Sequence, residues 1–513
     1  MANALFYSSP WIDISSSVVA AVAVYITSLV VYRRWFHPLA EIPGPFWASV
    51  THFYIVKYNL FSERSQFYLQ VEKLHRKYGP VVRISPDEIH LADPENYEKL
   101  HYVGSKAPSK APYFYDAFGL KIAAFGTTSN ELHRIRRAAI SPAFSRKAVL
   151  QLEDIVQEKT AKLINRIKDL LDEGKPVDLH HGFRALSVDI ITDYSFDNDY
   201  KQLDSPTFGS DFYEMTSELI TRGWVLQAFP FLLPLSDLIT LPMAKRINGA
   251  LYEFLLFRKR CVEQIATVKK EIDEGRDKSK HKTIFHQLLD PNASEGHVVP
   301  NVEELTEEMF TILTAGGETT GHAMTMITYY VLSNPEIYRK LVSELKTAFP
   351  EKQTTFDYLT LEKLPYLSSV IKEGLRLSYG VPGRLPRVIE TPDAIFNGYR
   401  VPKGTTVGMS AWMLNRNPQN FPEPEQFIPE RWSDPEKSKR LENKYFAPFG
   451  RGSRQCVGMH LAYLELYIGI GSIFRNFDRL RVDNFGPEDL EFDDYFGPFF
   501  RPTQNKFHVA LDA

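Results

Sequence analysis

Phe449-Gly450-Arg451-Gly452-Ser453-Arg454-Gln455-Cys456-Val457-Gly458 is the stretch on which the reading of this 513-residue chain turns. It sets one cysteine among three glycines and two arginines. Glycine adopts positive φ without cost and lets another group approach the backbone closely. Backbone N–H groups aimed at a sulfur favour the thiolate, the form that binds metals. A helix beginning just beyond the cysteine adds its positive end to the same point. The plainer alternative is an inert buried thiol beside a turn. Disulfide and zinc roles lack partners, because the one other cysteine, Cys261, stands in a helical stretch rich in Lys and Arg.

Working outward, Ala315-Gly316-Gly317-Glu318-Thr319-Thr320 falls in the middle of a helix predicted from about Val302 to Leu332. Asn301 with Glu304 makes a capping-box start, and Asn334-Pro335 makes a stop. Past Glu308 the segment is apolar nearly all round, so it should be central and buried. Each glycine weakens such a helix by up to about 1 kcal/mol. A local widening that admits small molecules is the expected return, with close helix packing as the alternative. Downstream, Glu373-Gly374-Leu375-Arg376 puts an acid and a base on one face of a second helix, over 368–377. Other helices are predicted over 146–171, 211–222 and 246–272, and strands over 81–84, 88–91, 385–389, 395–401 and 405–409. Residues 414–440 read as irregular. The charged run Glu271–Lys282 reads as an exposed loop or a solvated helix extension.

Composition is that of a globular chain, 44% hydrophobic and 24% charged. A net charge of −3 gives nothing for nucleic acid to bind, and two cysteines exclude a disulfide framework. From Ile14 to Tyr32 there is no charged residue, about 28 Å of helix. Arg33-Arg34 follow at once, with Trp35 and Phe36 as interfacial aromatics, so the positive-inside rule turns the body to the cytosol. A cleaved signal peptide would need a basic start and a small-residue cleavage site, and neither is present. The expected division is a membrane anchor over 1–36 and a body over 37–513, joined by a stiff connector at Pro38–Pro45. Asn292-Ala293-Ser294 matches the glycosylation triplet but is expected to stay unmodified on the cytosolic side.

The Cys456 loop matches F-x-x-G-x-R-x-C-x-G at every defined position, and in this the chain resembles the cytochrome P450 family. The likeness extends to the anchor, to Glu373-x-x-Arg376 and to Asn397–Gly404. It implies a mainly α fold with small β-sheets, preceded by one transmembrane helix. It also implies haem b with Cys456 on the iron, and Phe449 and Gly458 beside the ring. Glu318 and Thr319 match the family's acid–alcohol pair for proton delivery. His133, Arg137 and Arg387 fall, with Arg454, where the family grips the haem carboxylates. Arg431 matches a second arginine on Glu373, making Glu373, Arg376 and Arg431 a buried structural triad. The activity implied is insertion of one oxygen atom from O2 into a lipophilic small molecule, with electrons from NADPH through NADPH–cytochrome P450 reductase, at the endoplasmic reticulum membrane.

If Thr319 faces the haem, Thr311, Thr314 and Ala315 share its side of the helix at about 100° per residue and should face the substrate. Val381, with Pro382 and Leu385, should face it from the loop after the Glu373 helix. Phe114 and Phe118, with Tyr113 and Leu120, should close over it; packing of these aromatics on the core is the alternative. Phe36-His37-Pro38-Leu39 and Ile42-Pro43-Gly44-Pro45 resemble fungal secondary-metabolism members of the trichodiene-oxygenase sort, which suggests a terpenoid or polyketide. Two other readings stay open. A haem-thiolate isomerase or dehydratase would need no reductase, and a non-catalytic membrane haem-binding protein would need no proton relay.

Overall fold

The computed structural model describes residues 10–62, 65–104, 106–236, 238–276, 282–352, 355–501 and 506–511. Part of the charged run at 271–282 therefore lies outside the described residues, as do residues 1–9 of the expected anchor. The central helix spans Val302–Leu332. Its capping box forms as expected: Glu304 N donates to Asn301 Oδ1 at 3.0 Å, and Asn301 N donates to Glu304 Oε2 at 2.9 Å. Asn334 then caps the next helix, Pro335–Ala348. Helices Leu179–Phe196, Gly249–Asp273, Pro365–Ser378 and Met459–Asn476 pack around it, which is what an all-round apolar helix requires.

Its glycines do not widen it. The helix is continuous through Ala315–Thr320, and the glycines face Leu179–Phe196. A Cβ on Gly317 would stand 2.6 Å from Val188 Cγ2, one on Gly316 3.2 Å from Ile191, and one on Gly321 3.0 Å from the Arg184 backbone. The expected widening is thus replaced by close packing of two helices.

The small sheets come from short pairings of distant segments. Val81–Ser85 and Glu88–Leu91 form an antiparallel pair, extended by Thr406–Gly408, Arg387–Val388 and Ser109–Lys110. The last step sets Lys110 directly across from Arg387. A hairpin of Phe492–Tyr495 and Gly497–Phe500 approaches from the C-terminal side. The segment 414–440 is less irregular than expected. Asp434 accepts N–H bonds from Glu436 and Lys437 and starts a helix over Pro435–Lys444.

At the N-terminus a helix runs Pro10–Val31 and continues as one wider turn over Tyr32–Phe36. Ser17–Phe36 is long and apolar enough to cross a bilayer, with mean hydropathy 1.4, and its apolar stretch is not buried against the body, whereas Arg33 near its end donates to the Val50 carbonyl at 2.8 Å. The connector behind it does more than join. Leu39 and Ile42 are buried, and Arg83, itself 1% exposed, donates to the carbonyls of Arg33, Leu39 and Pro86. Gly44 lies so close to the Arg83 carbonyl that a side chain there would collide.

Candidate active site

A cavity of about 1510 Å³ lies between the central helix and the Cys456 loop. The loop is shaped by glycine. Gly450 and Gly452 have φ of +68° and +73°, and Gly452 sits against the His101–Tyr102 backbone, where any side chain would clash. Cys456 N donates to the Phe449 carbonyl at 2.8 Å, closing the loop, and Gly458 opens the helix Met459–Asn476. The accessible surface of Cys456 faces the cavity, not bulk water. Burial pushes its thiol up, while the Gly458 N–H and the Arg137 charge pull it back. Phe449 lines the cavity and packs on Tyr463, ring centres 5.2 Å apart. Side chains at Gly450 and Gly458 would meet no protein atom.

Five bases stand together on one wall: Lys110, His133, Arg137, Arg387 and Arg454. Among the described residues none of them carries an ion pair. Their bonds go to neutral groups. Arg387 donates to Tyr115 Oη at 2.7 Å, Lys110 to the Phe125 carbonyl at 2.6 Å, and Arg137 to Ser141 Oγ at 3.1 Å. Arg454 donates to the Thr127 and Thr128 carbonyls at 2.6 and 2.9 Å, yet its Nε is buried with no acceptor. Burial, then repulsion by cationic neighbours, lowers the proton affinity of three of them: His133 falls to about 3, Arg454 to about 10, and Lys110 well below its usual range. A buried cluster of bases with no directly paired acid among the described residues suits an anionic group in the cavity. The sequence reading missed Lys110, whose place depends on a strand partner far along the chain.

The opposite wall is the central helix. Thr311, Thr314, Ala315 and Thr319 all line the cavity, and Thr319 Oγ1 donates to the Ala315 carbonyl at 2.8 Å. Glu318 stands between this cavity and a small pocket of about 30 Å³ on its far side. Arg184 holds it with both arms of the guanidinium, Nε to Oε2 at 2.9 Å and Nη2 to Oε1 at 2.6 Å. No spacing in the sequence pointed to Arg184. Val381 and Leu385 line the cavity as expected, as do Tyr113, Phe118 and Leu120.

Phe114 does not line it. Only 2% exposed, it packs between Trp224, Tyr115 and Phe118, with Arg384 against its face. In the short helix Pro112–Tyr115, consecutive side chains point different ways, so Tyr113 and Tyr115 reach the cavity and Phe114 turns to the core. Phe125 and Phe496, which the sequence reading did not select, complete the aromatic wall.

Glu373, Arg376 and Arg431 meet as a fully buried triad behind the Cys456 loop. Arg376 forks Glu373 at 2.9 and 3.0 Å, Arg431 Nε donates to Glu373 Oε1 at 3.1 Å, and Trp432 Nε1 donates to Oε2 at 3.0 Å. Arg376 also donates to the carbonyls of Asn415, Pro424 and Gln426, which ties the meander before the loop to the helix Pro365–Ser378.

The family profile described as Cytochrome P450 matches residues 47–496. A cytochrome P450 monooxygenase of Ascocoryne sarcoides is 34% identical over 93% of this chain and 94% of its own length. An N-acetyltryptophan 6-hydroxylase of Emericella nidulans is 33% identical over 93% of each. A tryptophan 6-hydroxylase of Fusarium equiseti is 33% identical over 88% of each. A profile that spans most of the sequence, laid over a mainly helical fold with small sheets, gives the conclusion that this chain belongs to the cytochrome P450 family and is a cytochrome P450 monooxygenase.

Proposed function

We propose that residues 1–36 anchor the chain in the endoplasmic reticulum membrane and that 37–513 form a cytosolic catalytic domain which oxygenates a largely apolar small molecule, with electrons from NADPH through a separate reductase. The observation that carries this reading is one cavity that is lined by a thiol, by five bases that form no ion pair among the described residues, and by a threonine-bearing helix facing aromatic rings. The bases and the buried unpaired Nε of Arg454 fit the two carboxylates of haem b, and the bare backbone at Gly450 and Gly458 fits the edge of its ring. In this reading Cys456 holds the iron, and Phe449 packs beside it. The haem, once bound, supplies the activation of dioxygen, its thiolate ligand favouring O–O cleavage.

The protein's own part is to place the substrate, exclude water and move protons. Thr319 and Glu318 carry protons to the cavity face of the helix. Glu318 exchanges them with the small pocket behind it, where Arg184, Tyr213 and Thr216 line the way. Thr311, Thr314, Ala315, Val381 and Phe118 wall the substrate, and the threonine hydroxyls orient its few polar groups.

A part-oxidised terpenoid or polyketide of fungal secondary metabolism suits these walls. A second substrate reading, an indole, is favoured by the two relatives named for hydroxylating tryptophan or its N-acetyl derivative and by the rings of Tyr115, Phe118, Phe125 and Phe496. Microsomes holding the chain with a reductase, fed NADPH and a panel of terpenoids, polyketide intermediates and indoles, should consume oxygen and yield a product heavier by one oxygen atom. Product formation without NADPH or oxygen would instead support the isomerase or dehydratase reading. Haem binding with no turnover of any kind would support a haem-binding protein.

A further inference from the structure

Leu120, Lys121, Ala124 and Phe125 belong to a segment without regular structure that runs over the cavity and forms part of its wall. Among the described residues, no N–H of 120–126 donates to another backbone carbonyl. Charged side chains from other elements do that work. Two neighbouring carboxylates of the central helix take three consecutive amides: Ile122 N and Ala123 N donate to Glu307 Oε2 at 2.8 and 3.3 Å, and Ala124 N donates to Glu308 Oε2 at 2.7 Å. Two cations take the carbonyls on either side, Arg136 at Lys121 O and Lys110 at Phe125 O, at 3.3 and 2.6 Å. The chain folds back so tightly that any side chain at Gly126 would run into the Leu120 carbonyl. The segment is a strap pinned at four points by side chains of other elements, with no ladder to fall back on.

Adjacent residues of a helix point about 100° apart, so one helix seldom aims two consecutive carboxylates at one target. Here both reach the same three-amide run. Together they hold the strap down on the helix that also carries Thr311 and Thr314 into the cavity. We propose that Glu307 and Glu308 are specificity-determining residues of this monooxygenase, because they fix the near wall of the chamber against the molecule it encloses. The proposal rests on the reading of this cavity as the chamber of the reaction.

The test uses the haem-loaded full chain and three variants: Glu307→Ala, Glu308→Ala and, as a control on the same helix with no bond to the strap, Glu303→Ala. Hydrogen exchange read by mass spectrometry should quicken by roughly tenfold or more over 120–126 in the first two, with the central helix unchanged. Stopped-flow binding of 4-phenylimidazole, followed by its haem absorbance shift, should show faster release in the same two variants, and Glu303→Ala should match the wild type in both. Three results would overturn the proposal: unchanged exchange over 120–126, equal loosening by Glu303→Ala, or faster exchange with unaltered azole release. A wild-type holoenzyme that binds no azole at all refutes the chamber reading itself, an outcome that the exchange data cannot produce.

Discussion

Glu373 is wholly enclosed and accepts from Arg376, Arg431, Trp432 and the Ile428 amide, and among the described residues neither arginine pairs with another acid. Removing the carboxylate by Glu373→Ala strands two buried guanidiniums, at a cost of about 3–5 kcal/mol. The variant should melt far below the wild type and lose the bound cofactor on purification; an unchanged melting temperature would mean that the triad is dispensable. Glu465 is the reverse case. It is buried with one partner, Ser187 Oγ at 2.6 Å, and no cation, so burial pushes it up to about 8. The unfolded chain releases that proton near pH 4 while the folded chain keeps it. From about pH 4 to pH 8 this group therefore lowers stability as pH rises, and below pH 4 it has no effect. Glu465→Gln should thus raise the melting temperature relative to wild type more at pH 8 than at pH 5. An equal difference at both values would contradict the assignment.

At the scale of elements, the central helix and its neighbour Leu179–Phe196 meet through Gly316, Gly317 and Gly321. Gly317→Ala gains helix propensity of roughly 1 kcal/mol but presses a methyl onto Val188, and overpacking costs about 1–3 kcal/mol. The net expectation is destabilisation that the double variant Gly317→Ala/Val188→Ala relieves. A single Gly317→Ala variant that melts higher than wild type would show that the contact is not tight. This pair also marks where reading a sequence stops. The boundaries of the central helix were legible because caps are local signals; the triad on Glu373 was expected only through the family resemblance, since its second arginine, Arg431, lies far along the chain. The purpose of the glycines was not legible, because it belongs to the helix they touch. Pro435–Lys444 was missed although Asp434-Pro435-Glu436 is an ordinary helix start; proline-rich flanks hid it. Lys110 and Arg184 reach the site by pairing with residues far along the chain, and no local pattern announces such a meeting. Phe114 turned inward because a four-residue helix aims neighbouring rings in different directions.

For the whole molecule, the apolar stretch of the N-terminal helix is not buried against the body, while its end at Arg33 and the connector after it are built in through Leu39, Ile42 and Arg83. Deleting residues 1–36 should move much of the protein to the soluble fraction with its haem absorbance intact. Deleting residues 1–45 should destabilise the body more, since it strips the buried Leu39 and Ile42 side chains and a second acceptor of Arg83 beyond the Arg33 carbonyl that the first deletion removes. A chain that stays wholly in the membrane fraction after the first deletion would contradict the anchor. The central claim concerns the cavity that Cys456 and the bases line together. Its most direct measurement is the absorbance of the reduced protein under carbon monoxide, for the wild type, Cys456→Ala and Cys261→Ala. Thiolate ligation by Cys456 predicts a red-shifted Soret band in the wild type and in Cys261→Ala, and its loss in Cys456→Ala. A Cys456→Ala protein that keeps that band would contradict the account.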